Sequence, residues 1–395
     1  MRDAHTADHT NRSVAPASWS WPGGLGEALW LFVTLRLALS LIALLASRTF
    51  NLAVPCSSHD VDGLVRHVNG LDFQLLGVWQ HWDDCWYEKV AALGYQPHDG
   101  AVVFFPLYPL LMRVVSLLLA GNLTLAGLIV SGVAYLAAVT GLYQLVQDDF
   151  DEGVARRAVL YLSVFPSAFF LFAPFTEALF LALAVWTIHA ARRGAWGWAA
   201  LLALLVGLTR TQGALLALPL AWEVMRQWRA GGRRLEWALV PWLPVCGLLA
   251  FVAYTKVFTG WTTFTAQRTL WGGMLRPPWV VVASSWVHLR GRGDAIEALN
   301  LALLLACGAL FLLGLRRLPP VYSLYVAPQL LLIASRQNAF SPLQSTSRLV
   351  VVLFPLFILL ALAGVHRRLH YSWLLCSTLL LALLLYAFLS GPFVA

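Results

Sequence analysis

Long apolar runs separated by short, arginine-bearing polar breaks dominate the chain. Runs of roughly 17 to 25 apolar residues predict membrane-spanning helices. They fall near 27–47, 122–146, 158–175, 177–191, 237–258, 296–315, 321–334, 347–365 and 372–390. A further run, 197–222, is interrupted by "GLTRTQG" and predicts two short helices that enter and return on the same face. The pattern therefore predicts an all-α polytopic membrane protein with about eleven membrane-crossing elements. No small-residue cleavage site clearly follows the first run, so it reads as a retained anchor. Residues 1–26 then form a polar tail, and 27–395 one membrane domain.

Arginine pairs in short loops set the orientation, because cytoplasmic loops carry an excess of positive charge. "EGVARR", "ARRGAW", "RQWRAGGRR", "GLRRLPP" and "VHRRLH" all land on one side, together with the polar tail. The other, outer side receives a loop over about 48–121, a Trp- and Arg-rich loop near 259–295, and "SRQNAFSPLQSTSR" at 335–348. "FFPLYPLLMRVVSLLLAGN" is apolar enough to span, but counting it would move every later arginine pair to the opposite side. It is expected instead to lie in the outer interface as a helix entered through Pro106 and Pro109.

Composition agrees. Hydrophobic residues make up 59% of the 395 and charged residues 12%, with a mean hydropathy of +0.72; soluble domains carry about a quarter charged residues. The net charge of +8 is almost wholly arginine, since Lys89 and Lys256 are the only lysines. Such basicity fits loops facing anionic lipid, and no basic tract interleaved with aromatics points to nucleic acid. Cys246, Cys307 and Cys376 lie in apolar runs and read as small buried hydrophobes. Cys56 and Cys85 both fall in the first outer loop, where a bridge and two free thiols are both open readings.

Ionisable groups at membrane depth mark candidate sites. In "HWDDCWYEKVAALGY", a short helix begins beside Asp83 and Asp84 and stops at Gly94. One carboxylate suffices to cap that helix, which leaves the other for further work. Glu177 begins a span in "FAPFTEALFLAL", where Thr176 is a candidate cap. Arg210 lies deep in an apolar run and needs either a partner such as Glu177 or an anionic ligand; Arg36 in the first span poses the same question. Arg268, Arg336 and Arg348 sit on the outer side, and converging guanidinium forks suit a phosphate head group. No Walker loop, nucleophile elbow, HExxH or Cys/His metal spacing is present.

These segments resemble a known family. "HWDDCWYEKVAALGY" followed by "VVFFPLYPLLMRV" is similar to the first-loop motif of the glycosylphosphatidylinositol mannosyltransferase II (PIG-V) family and its bacterial relatives. "VFPSAFFLFAPFTEALFLAL", "GLTRTQG" and "STSRLVVVLFPLF" resemble its later motifs, in order, from about residue 30 to 365. The resemblance implies a GT-C-type fold with interfacial helices in the first outer loop. It also implies a mannosyltransferase of the bacterial inner membrane that faces outward and uses polyprenyl-phosphate-mannose. Asp83 falls on the family's Asp and is the expected general base. Thr176-Glu177, Arg210 and Arg348 fall on its S/T-E and two Arg positions. Arg268 and Arg336 are expected to help hold the donor, with Trp82, Trp86, Tyr87 and Asp84 around them and Asp84 acting as helix cap. The departures, Asp84, Phe175, Thr211, Ser347 and Leu349, remove no charge but leave the acceptor open: a lipid, glycan or protein hydroxyl. The implied chemistry requires neither metal nor cofactor. The rival class is a multi-pass lipid or solute transporter or flippase, which commonly shows paired interrupted helices; this chain shows one interruption. A membrane acyltransferase would place a catalytic His in the bilayer, whereas His189 lies near a cytoplasmic end.

Overall fold

A computed structural model describes residues 23–50, 52, 56, 67–232 and 234–391. The expected polar tail before residue 23, and residues 57–66 of the first outer loop, lie outside the described residues. Helix α1 (Leu25–Thr49) is one of five described helical segments long and apolar enough to cross a membrane. In the long connection that follows, α2 (Gly70–Leu75), α3 (Asp83–Leu93) and α4 (Leu107–Ser116) are all too short to span. Gly94 ends α3 with φ 71°, a conformation that favours a residue without Cβ. The expected interfacial helix is α4, which packs on the start of α5 (Leu123–Asp149), where the Tyr108 hydroxyl donates to the Gly127 carbonyl at 3.0 Å.

The run expected as one span over 158–175 is broken. Helix α6 (Glu152–Ser163) ends early, and the chain turns through Pro166 and Pro174 before α7 (Glu177–Arg192). Proline supplies no backbone N–H, so apolarity alone cannot keep this stretch helical. The interrupted run builds the expected returning pair, α8 (Trp196–Gly207) and α9 (Ala217–Arg229), with Trp196 Nε1 donating to Gln227 Oε1 at 3.0 Å. A 3-10 helix, Leu235–Trp242, then leads directly into α10 (Leu243–Thr259).

Next follow α11 (Thr263–Thr269), β1 (Gly273–Leu275) and α12 (Pro278–Arg292). Helix α13 (Ala295–Gly314) descends and α14 (Pro320–Ser335) returns to β2 (Arg336–Asn338). The expected span over 347–365 is also in two pieces, α15 (Thr346–Val350) and α16 (Phe354–Ala363), broken ahead of Pro355. Helix α17 (Arg367–Ser390) closes the chain. Strands β1 and β2 pair antiparallel, Leu275 opposite Arg336, and tie two connecting segments together.

Several of the arginine-rich helix ends are tied to neighbouring helices. Arg192 binds Asp149, Arg193 binds Asp148, Arg156 reaches Glu27 and Glu152, and Arg157 Nε donates to the Ala361 carbonyl at 2.9 Å. Between the two ends runs a continuous apolar core that includes the fully buried Phe169, Phe170, Phe172, Phe175 and Phe180. Of the three cysteines expected to be buried, only Cys307 is; Cys246 and Cys376 face outward. An apolar run in a membrane helix covers its lipid-facing side as well as its packed side, so hydropathy does not separate the two.

The open cysteine question resolves as a disulfide between Cys56 and Cys85, with Cα atoms 5.7 Å apart and a sequence separation of 29. Closing a loop of that length is worth about 3 kcal/mol. Dithiothreitol, or Cys56→Ser, is therefore expected to lower the thermal midpoint of the purified protein measurably. An unchanged midpoint would show that the bridge does not anchor the loop.

Candidate functional site

Two strained backbone positions introduce the central residues. Trp82 (φ 56°) directly precedes Asp83, the first residue of α3, and Ser345 (φ 70°) begins the turn of α15 that carries Arg348. Positive φ in a non-glycine residue costs on the order of 1–3 kcal/mol, and here both cases flank one contact. Arg348 Nη1 donates to Asp83 Oδ2, across 265 positions of sequence. Arg348 Nε donates to Glu177 Oε1 at 2.5 Å, and Arg210 Nη1 reaches the same oxygen at 3.0 Å.

Each partner is placed by its own element. Glu177 opens α7 and has no exposed surface. Its neighbour Thr176 does not cap the helix as expected, its hydroxyl lying instead 3.3 Å from the Tyr87 hydroxyl. Arg210 sits in the break between α8 and α9. That break is held tightly, since a Cβ on Gly207 would meet the Pro244 carbonyl oxygen at 2.1 Å and one on Gly213 the Val206 oxygen at 2.3 Å. Aromatic faces support the cations, with Arg348 5.0 Å from the Phe175 ring centre and Arg210 5.7 Å from Phe180. Arg36 is bound within the protein, donating to the Phe172 carbonyl at 3.0 Å and lying over Trp79.

The cluster forms one wall of a cavity of about 1110 Å³. Of the residues singled out in the sequence, Trp82, Asp83, Tyr87, Arg210, Arg268, Arg336 and Arg348 line it. Glu177 lies behind the wall and acts on it through the two arginines. Arg336, at the start of β2, has no ion-pair partner among the described residues; burial, with Arg348 and Arg210 adding repulsion, lowers its pKa to about 10. Arg276 and Gln212 also line the cavity and were not singled out in the sequence. The signal for Arg276 was its place in the Arg-rich outer loop. Gln212 is buried with neither amide oxygen nor nitrogen hydrogen-bonded, which no sequence pattern announces. A second cavity of about 770 Å³, between α5, α7 and α8, is lined almost wholly by apolar side chains.

Two of the singled-out residues stand apart. Trp86 stacks on Phe104 at 5.7 Å and meets Trp271 edge-on, so it backs two lining residues. Asp84 is not the helix cap expected of it. It accepts no bond from the first turn of α3, its side chain is fully buried, and neither oxygen has a hydrogen-bond partner. Burial, then the nearby Glu88 and Asp83, raise its pKa well above the carboxylate range. Glu88, one turn on, accepts from Gln80 Nε2 at 2.6 Å and from the Thr124 hydroxyl, and burial pushes it up to about 7. The adjacent acids thus part: Asp83 faces the cavity and Asp84 the interior.

Residues 27–228, just over half of the chain, match the profile of the family described as Mannosyltransferase (PIG-V). No curated protein matches significantly. Among solved structures the chain is similar to the Archaeoglobus fulgidus oligosaccharyltransferase solved in complex with zinc and sulfate. The TM-score is 0.42 at 12% identity, covering 90% of this chain and 53% of that one. The chain therefore spans about half the length of that protein.

The buried acid pair makes stability pH-dependent. Asp84 and Glu88 hold protons more firmly folded than unfolded. Their contribution is therefore fully present below the ordinary carboxylate range and is lost as pH rises towards about 7, where Glu88 ionises. Asp84→Asn, neutral at every pH, is expected to gain in thermal midpoint relative to the parent as pH rises from 4.5 to 7. A midpoint difference that stays constant over that interval would contradict this assignment.

Proposed function

The chain belongs to the mannosyltransferase (PIG-V) family, and from that premise we propose that it transfers mannose from a polyprenyl-phosphate donor to an acceptor hydroxyl at the outer face of a bacterial inner membrane. It is an integral membrane glycosyltransferase; the donor, the inverting course, the outward orientation and membership of the GT-C class are our reading. The observation that carries it is the convergence of Asp83 and three buried or half-buried arginines on one cavity wall.

In this reading the reaction is a single inverting displacement. The acceptor oxygen attacks the anomeric carbon while its proton passes to the Asp83 carboxylate. The bond from that carbon to the phosphate oxygen breaks, its electron pair stays on the phosphate, and Asp83 later returns the proton to solvent. Phosphate needs no general acid to leave. It needs positive charge placed where the new negative charge forms. Arg210, Arg268, Arg276, Arg336 and Arg348 line the cavity against Asp83 and the Glu177 behind it. Five cations less two anions leave an excess of three positive charges, which suits an anionic donor. The buried amide of Gln212 and the rings of Trp82 and Tyr87 suit the hydroxyls and apolar face of a sugar.

Two further features support the outer-face reading. The Cys56–Cys85 bridge is at home on an oxidising side of a membrane. Helix α4 and the turn after it expose Leu110, Val114, Leu117 and Leu118, while Phe104 and Phe105 just before it line the cavity. A polyprenyl tail can therefore run along that helix with its head group inside. The acceptor is any lipid, glycan or protein hydroxyl that reaches Asp83.

Purified protein given radiolabelled polyprenyl-phosphate-mannose and membrane lipid acceptors is expected to transfer or hydrolyse the sugar. Asp83→Asn should lower that rate at least about a hundredfold with the fold retained. Full activity in the variant would sink the base assignment, and binding without turnover in the parent would favour a carrier.

A further inference from the structure

We propose that Arg348 changes partners during transfer, leaving Asp83 for the donor's phosphate, so that the base is released only where the leaving group is already held. The proposal rests on the reading of the cavity as a site for a phosphate-linked sugar.

A guanidinium grips phosphate along an edge that offers two parallel N–H groups. One edge pairs Nε with a terminal nitrogen, and the other pairs the two terminal nitrogens. In Arg348, Glu177 holds Nε at 2.5 Å and Asp83 holds Nη1, so each edge has one position taken. The two carboxylates are not equally free to leave. Glu177 is fully buried and also holds Arg210, so moving it would strand Arg210 in the interior and leave Arg348 on Asp83 alone. Asp83 keeps 15% of its side chain exposed, lines the cavity and has no other ion-pair partner among the described residues. It is the partner that yields.

The charges of the reaction move in the matching direction. Before transfer, Asp83 and the phosphodiester each carry one negative charge. Afterwards the acceptor's proton neutralises Asp83, and the electron pair of the broken carbon–oxygen bond makes the phosphate a dianion. Negative charge thus disappears on one side of Arg348 and appears on the other. Proton abstraction and departure of the phosphate then favour each other through one guanidinium. Arg336, with no acid of its own among the described residues, and Arg210 are placed to receive the phosphate as Arg348 turns. While Arg348 holds Asp83, one carboxylate oxygen, Oδ2, is taken by a cation. In the proposed exchange the donor therefore binds first and frees that oxygen for the acceptor hydroxyl.

A thermodynamic cycle tests the exchange, with dodecyl phosphate as probe and the full-length protein in neutral detergent. Asp83→Asn is expected to bind the phosphate about tenfold more tightly than the parent, because Arg348 no longer has to be surrendered. In an Arg348→Gln background the same substitution should change affinity less than about twofold. An equal gain in both backgrounds means that Asp83 acts only as a distant charge, and it overturns the exchange. No gain in either overturns it as well. Should Arg348→Gln fail to fold, calorimetry in buffers of different ionisation enthalpy reads the same coupling. The parent should take up more protons on binding phosphate than Asp83→Asn does, and equal uptake overturns the proposal. Absence of both phosphate binding and sugar transfer in the parent would instead overturn the reading of the cavity.

Discussion

One buried carboxylate organises the cavity end of this protein. Glu177 has no contact with solvent at the start of α7, and a carboxylate in that position must be matched by cations or it destabilises the fold by several kcal/mol. Two guanidinium groups reach it, from elements far apart in sequence. Bringing Arg210 there requires the break between α8 and α9, closed by glycines that admit neighbouring carbonyl oxygens. Bringing Arg348 there requires the short α15, begun by a strained serine and separated from α16. The interruptions in otherwise apolar helices are therefore the means by which charge is delivered to one point. Asp83 completes the cluster from a third direction, through the first outer loop that the disulfide ties down.

The two ends of the molecule treat charge differently. At the arginine-rich end, Arg192 meets Asp149 with two nitrogens and the Tyr322 hydroxyl joins them, while Arg226 is matched by Glu223. These groups satisfy one another and hold helices together. At the cavity end the arginines outnumber the acids, and Arg336 is half-buried without a counter-ion among the described residues. Excess positive charge inside a cavity wall is costly unless an anion shares the space. That imbalance is what the proposed phosphate-linked donor would offset.

Much of this was legible in the sequence, because it rests on signals that survive without coordinates. Arginine pairs kept "FFPLYPLLMRV" out of the count of spans, and α4 is a short helix packed on the start of α5. The interruption around Arg210 announced the returning pair, and the ordered motifs brought forward Asp83, Glu177, Arg210 and Arg348, which the structure joins in one cluster. Other features were hidden for physical reasons. Hydropathy measures apolarity and not backbone continuity, so the breaks in 158–175 and 347–365 read as helix although Pro166, Pro174 and Pro355 stood there. Asp83 and Asp84 are chemically identical neighbours, and only the fold decides which one meets solvent. The unpaired amide of Gln212 and the pairing of Cys56 with Cys85 depend likewise on what lies nearby in space.

The central claim is that a lipid-linked phosphate sits among Arg210, Arg336 and Arg348 with Asp83 beside it. A cryo-electron microscopy map of the protein in lipid nanodiscs, saturated with a non-hydrolysable polyprenyl-phosphonate-mannose analogue, tests it most directly. The account predicts head-group density bounded by those three guanidinium groups, with the sugar towards Asp83 and the tail leaving along α4. Density for the head group elsewhere, such as the apolar groove between α5, α7 and α8, would contradict it.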